Sequence, residues 1–102
     1  MKTTTDMTVA TTILAQLGGK RFIAMTGSRD FVGGHDCLWF TIQGQRANKC
    51  RITLTPADTY TVEFLKFNRR TGASPIVEEH TGIYADMLQQ VFKSFTGMDT
   101  TL

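Results

Sequence analysis

His35, Asp36 and Cys37 place an imidazole, a carboxylate and a thiol side by side, and at strand spacing His35 and Cys37 would point the same way. A cysteine nucleophile needs a base within hydrogen-bond reach and donors for the oxyanion. Adjacent residues on a loop flank rarely supply that arrangement, so the trio reads as a loop histidine beside a half-buried thiol. As a metal site it lacks a second ligand pair of the CxxC or HxxxH kind, and His80 is the only other histidine. Thr26-Gly27-Ser28 with Gly33-Gly34 suggests a phosphate loop. It has neither the lysine and helix entry of a P-loop nor the glycine spacing of a dinucleotide site, and it reads as a turn needing positive φ. No two carboxylates are placed as an acid–base dyad. The expectation is a protein that is not an enzyme, with no catalytic residue, no metal and no cofactor.

The cations are the stronger signal. The net charge is only +2, yet from Gln43 to Thr71 six basic residues (Arg46, Lys49, Arg51, Lys66, Arg69, Arg70) stand against two acidic ones, Asp58 and Glu63. Lysines and arginines on adjacent loops suit phosphates, and Trp39 with Arg51 on one sheet face could stack a base. Arg46, Lys49, Lys66, Arg69, Arg70, Trp39 and Arg51 are therefore the candidate residues for binding nucleic acid or a protein partner. The alternatives are a solvated rim for the cations, protein recognition by the arginine-rich loops, and, for Trp39, packing under a helix, which is the expected place for it.

The elements that position these residues follow from periodicity. Leu38–Ile42, Cys50–Leu54 and Tyr60–Phe67 each carry an apolar residue at every second position, as half-buried strands do. Met7–Leu17 and Tyr84–Phe95 show helical stripes, Val9, Ala10, Ile13, Leu14, Leu17 and Tyr84, Leu88, Val91, Phe92, Phe95, each followed by a glycine. Thr5 or Asp6 is available to cap the first helix. Arg21–Met25 is expected as a first strand, Thr26–Asp36 as a loop, and Pro75–Glu79 as an edge strand. The fold class is thus α+β: an antiparallel meander of four or five strands flanked by an N-terminal and a C-terminal helix. The expected register sets Phe40 opposite Ile52, Leu38 opposite Leu54 and Ile42 opposite Cys50. On the next strand it sets Ile52 opposite Val62, Leu54 opposite Tyr60 and Cys50 opposite Phe64, with Arg51 and Glu63 as a cross-strand ion pair. Arg46, Lys49, Lys66, Arg69, Arg70, Lys20 and Arg21 then gather at one end of the sheet, and Asp30, Asp36 and Asp58 at the other.

Size bounds the rest. The 102 residues amount to a single globular domain, with residues 1–6 expected to be flexible. With 41% hydrophobic residues the chain is not disordered. No apolar run approaches the ~20 residues that span a bilayer, and no signal-peptide core precedes the first helix, so a cytoplasmic location without membrane contact is expected. At ~3.3 Å per strand residue, Cys37 and Cys50 would sit over about 10 Å apart, too far for a disulfide.

Three stretches together resemble a family of small uncharacterised proteins encoded by bacteriophages and mobile elements. They are Leu17-Gly18-Gly19-Lys20-Arg21-Phe22-Ile23-Ala24-Met25-Thr26-Gly27, then Arg51-Ile52-Thr53-Leu54-Thr55-Pro56-Ala57-Asp58-Thr59-Tyr60 with Val62-Glu63-Phe64-Leu65, and Gly82-Ile83-Tyr84-Ala85-Asp86-Met87-Leu88 with Thr96-Gly97. The resemblance implies an accessory protein acting inside a bacterial host cell and brings no established activity with it. Two functions are expected from sequence: binding of nucleic acid through the basic loop end, or binding and modulating a host protein complex. Either is compatible with a homodimer formed through a sheet edge or a helix.

Overall fold

Glycines and short polar turns decide where each element stops. The computed structural model describes residues 8–43 and 46–97, so residues 1–6 and the expected cap at Thr5 or Asp6 lie outside the described residues. Helix α1, Thr8–Leu17, buries Ala10, Ile13 and Leu17, one face of a helical repeat. It ends at Gly18 and Gly19, both with positive φ, whose amides return to the Leu14 and Ala15 carbonyls.

Lys20–Thr26, expected as a strand over Arg21–Met25, is instead a second helix, α2. Lysine, arginine, alanine and methionine all favour helix, and Phe22 and Thr26, four residues apart, are its buried positions. Gly27 closes it in the left-handed conformation (φ 68°), donating its amide to the Ile23 carbonyl. The first strand lies in the stretch expected as a loop: β1, Arg29–Gly33. It is bulged against β2 around Asp30, which has φ 57°.

Strands β2 (Cys37–Thr41), β3 (Lys49–Leu54), β4 (Tyr60–Leu65) and β5 (Ile76–Ile83) follow. All five strands are antiparallel in the order β1-β2-β3-β4-β5. Among the described residues the fold is α+β, a five-stranded meander with two N-terminal helices and one C-terminal helix. Strand β5 runs four residues beyond the expected Glu79 and breaks register with β4 twice. The chain leaves it through a 3₁₀ turn, Ala85–Met87, into helix α3, Leu88–Thr96. Leu88 and Phe92 are buried, whereas Tyr84, expected in the same stripe, precedes the turn in extended conformation and is exposed.

Between β3 and β4 the register is the expected one, Cys50 opposite Phe64, Ile52 opposite Val62 and Leu54 opposite Tyr60. Between β2 and β3 it is displaced by two residues, so that Leu38 faces Ile52 and Phe40 faces Cys50. A two-residue slip leaves every side chain on its own face, and alternation cannot detect it. Asn48 decides the register. Its carbonyl accepts the Ile42 amide (3.0 Å), its amide donates to the Leu65 carbonyl (2.9 Å), and its side chain bonds both amide and carbonyl of Phe67.

The helices all cover one face. Phe22 of α2 and Phe92 of α3 meet edge to face at 4.9 Å, Phe22 meets Phe40 at 5.6 Å, and Phe31 stacks on Phe40 at 5.1 Å. Ile13, Leu17, Leu38, Ile52, Val62 and Leu88 complete the core. Cys50 lies in it with its thiol pushed up by burial. Cys37 projects from the opposite face, and both cysteines are free. Ile52 is 1% exposed at the centre of the Leu38–Ile52–Val62 row. Ile52→Asp would bury an unpaired carboxylate at a cost of several kcal/mol, on the order of the stability of a whole domain. The expected outcome is loss of the cooperative thermal transition by circular dichroism, whereas Ile52→Val, costing about 1 kcal/mol, keeps it.

Candidate functional site

The face of the sheet turned away from the helices carries one row across all five strands. Val32 faces Trp39, Trp39 faces Arg51, Arg51 faces Glu63, and Glu63 faces Glu79. Trp39 is half-buried and lies on this open face, not under a helix, because Phe40 and Leu38, its neighbours in β2, take the core side. The Arg51 guanidinium stands 4.6 Å from the centre of the Trp39 ring. Its Nε donates to Glu63 at 2.5 Å, the expected ion pair. Glu63 is only 7% exposed. The hydrogen bond to Glu63 pushes the Arg51 guanidinium further up, against an opposing contribution from its partial burial. Arg51 is therefore committed to fixing Trp39 and neutralising Glu63.

Above that row, Lys49 reaches back over β2 and donates from Nζ to the Thr41 hydroxyl at 2.7 Å. The chain after β4 curls over the same face, bringing Phe67 and Ser74 toward Lys49. Asp30, Val32, Trp39, Lys49, Phe67 and Ser74, together with Phe40 of the core, line a mainly apolar cleft of about 400 Å³. Phe67 also belongs to a second depression of about 470 Å³, lined by Asn48, Lys66, Asn68, Arg69 and Arg70. The loop that presents Arg69 and Arg70 is held by Asn68, whose Oδ1 accepts the amides of Arg70 (2.9 Å) and Thr71 (3.4 Å).

Of the seven residues singled out from sequence, Trp39, Lys49, Lys66, Arg69 and Arg70 line these two adjoining depressions. Arg46 shares their end of the sheet but turns to the helical side. There it pairs with Glu78 at 3.3 Å and lies 4.5 Å from the Phe95 ring, while the other Glu78 oxygen meets His80 Nε2. Lys20 and Arg21 are exposed on the first turn of α2, in the helical layer, because the expected first strand is a helix. The charge separation along the sheet is accordingly incomplete. Asp36 and Asp58 sit at the far end, in the turns beside Leu54 and Thr55. Asp30 lies at the basic end, because β1 starts there, with Arg29 opposite Thr41.

Phe67 and Asn68 were not among the residues singled out from sequence, and Asp30 was expected at the opposite end of the sheet. One signal was present: Leu65 is an apolar residue on the otherwise polar side of β4, and it is buried, so something had to cover it. The His35–Asp36–Cys37 trio forms only a loose 3.8 Å contact between His35 and Asp36, both solvent-accessible. Among the described residues no cluster of His, Cys, Asp and Glu could hold a metal ion.

Arg51→Met would leave the Glu63 carboxylate on a nearly closed surface without its cation. A loss of about 2 kcal/mol is expected in urea unfolding, with a change in the fluorescence of Trp39, the single tryptophan. Glu63→Gln, which leaves no uncompensated anion, should lose less.

In comparisons with known proteins, the chain matches no family model, no curated protein and no solved structure.

Proposed function

We propose that this chain is a non-enzymatic accessory protein of a bacteriophage or mobile element, acting in the cytoplasm of a bacterial host and binding single-stranded nucleic acid at the basic end of its open sheet face. One observation carries the reading: the apolar cleft beside Trp39 and Phe67 adjoins, through Phe67, the groove of Lys66, Arg69 and Arg70. Cations along a groove hold the phosphates of a strand, and aromatic rings beside it take unstacked bases. A duplex keeps its bases stacked and has none to place in a cleft of this kind. The phage origin is supported by the sequence resemblance alone. Among the described residues no helix is long and apolar enough to cross a membrane.

A second reading, a protein-binding modulator or inhibitor of a host complex, has its own support. Ile76 and Val77 are exposed apolar residues on β5, an unpaired edge of the sheet. The same edge is where a homodimer would form.

The deciding experiment is fluorescence polarisation with labelled single- and double-stranded DNA and RNA across a salt series. Single strands are expected to bind with micromolar or better affinity at low salt, with log K falling linearly against log salt. The double variant Arg69→Gln/Arg70→Gln should make that slope shallower by about 1.4, two phosphate contacts at ~0.7 each on a single strand. Arg46→Gln should change it little, since Arg46 is engaged with Glu78 and Phe95. No binding to any strand at low salt would overturn the reading in favour of a protein partner.

A further inference from the structure

Asp30, Lys49 and Ser74 are the polar residues that line the apolar cleft. Arg29, Thr41 and Lys49 are paired across β1, β2 and β3, and Asp30 follows Arg29, keeping a loose 3.8 Å contact with its guanidinium while both side chains stay about two-thirds exposed. The Lys49 ammonium is drawn toward β1, because its bond to the Thr41 hydroxyl (2.7 Å) carries it over β2. A carboxylate and an ammonium thus border one cleft, from strands on either side of Thr41. Two residues before Thr41, on the same face of β2, is Trp39. Arg51 occupies one face of that ring, so Trp39 meets the cleft with its remaining face or its edge. Phe67 and Val32 supply further apolar lining.

A flat ring suits this lining, and the rim states which ring. An ionised carboxylate only accepts hydrogen bonds and takes two donors side by side, whereas an ammonium only donates. Adenine and cytosine each offer a single exocyclic amine next to acceptors on their pairing edge. Uracil and thymine offer one N–H between two carbonyls. Guanine alone carries two adjacent donors, N1–H and the 2-amino group, beside the O6 acceptor. We infer that the cleft is a guanine-selective base slot, in which Asp30 accepts N1–H and the 2-amino group while Lys49 donates to O6. The inference rests on the single-strand reading and specifies which base that strand presents; the phosphates of the same strand pass into the groove of Lys66, Arg69 and Arg70.

The test uses the full chain and short thymine-only DNA strands, unmodified or with one central guanine, hypoxanthine, adenine or 2-aminopurine, titrated by fluorescence polarisation. The guanine strand should bind about tenfold tighter than the hypoxanthine strand, which lacks the 2-amino group, and than the adenine strand. Asp30→Asn is the informative variant, because asparagine tolerates the left-handed backbone that Asp30 adopts (φ 57°) and the fold is preserved. It should reduce the guanine preference to about twofold or less, while affinity for the thymine-only strand holds or rises with the loss of a negative charge. Lys49→Met should narrow the discrimination between guanine and 2-aminopurine without abolishing it, because 2-aminopurine lacks both O6, the partner of Lys49, and the N1–H that Asp30 accepts. Binding of all strands without guanine preference, or a preference unchanged in Asp30→Asn, would overturn the slot and leave the single-strand reading standing. No binding of any strand would overturn both.

Discussion

Four phenylalanines fasten the helices to the sheet. Phe22 from α2 and Phe92 from α3 meet each other and Phe40 of β2, and Phe92 also approaches Phe64 of β4 at 6.3 Å. Each ring brings a large apolar area and a preferred edge-on or offset geometry, so the cluster fixes both the position and the orientation of two helices at once. Because every strand alternates, committing Phe40 and Phe64 to this cluster also commits their neighbours Trp39 and Glu63 to the other side. The open face is a direct consequence of which face the helices occupy.

That open face is not a bare sheet surface. The Val32–Trp39–Arg51–Glu63–Glu79 row passes from apolar to aromatic to cationic to anionic across the five strands. Its charges are largely settled among themselves, since Arg51 answers Glu63. One step toward the β2–β3 and β4–β5 loops, Asp30, Lys49 and Phe67 line the apolar cleft, and Arg69 and Arg70 line the depression that shares Phe67 with it. The loop after β4 is the element that builds this corner: Phe67 lines both depressions, and Asn48 and Asn68 fix the backbone on either side of it. Strands hold Trp39 and Lys49, while the more exposed loop holds the arginines.

Much of this was legible in the sequence, and the misses have physical causes. The β3–β4 register was readable because a short turn, Thr55–Thr59, joins two strands whose alternation agrees. The β2–β3 register was not, because alternation has a period of two and the pairing set by Asn48 leaves no trace in hydropathy. Arg21–Met25 is too short for periodicity to separate helix from strand, and the decisive signal was propensity together with glycines on both sides. β1 was hidden by its own composition: glycines and a positive-φ Asp30 mark a loop, but they also suit a bulged edge strand. Among the candidate residues, the sequence could place Arg46 and Arg70 at one end through the meander. It could not reveal that Arg46 turns to the helical side, because Glu78 and Phe95 come from distant segments.

Binding on the helix-free face at its basic corner is tested by amide and indole chemical-shift mapping of the labelled protein with a short guanine-containing DNA strand. The largest shifts are expected at the Trp39 indole N–H and at Asp30, Lys49, Phe67, Arg69 and Arg70, with α1 and α3 unmoved. Shifts confined to the helices or to the β5 edge, or no shifts at all, would contradict it.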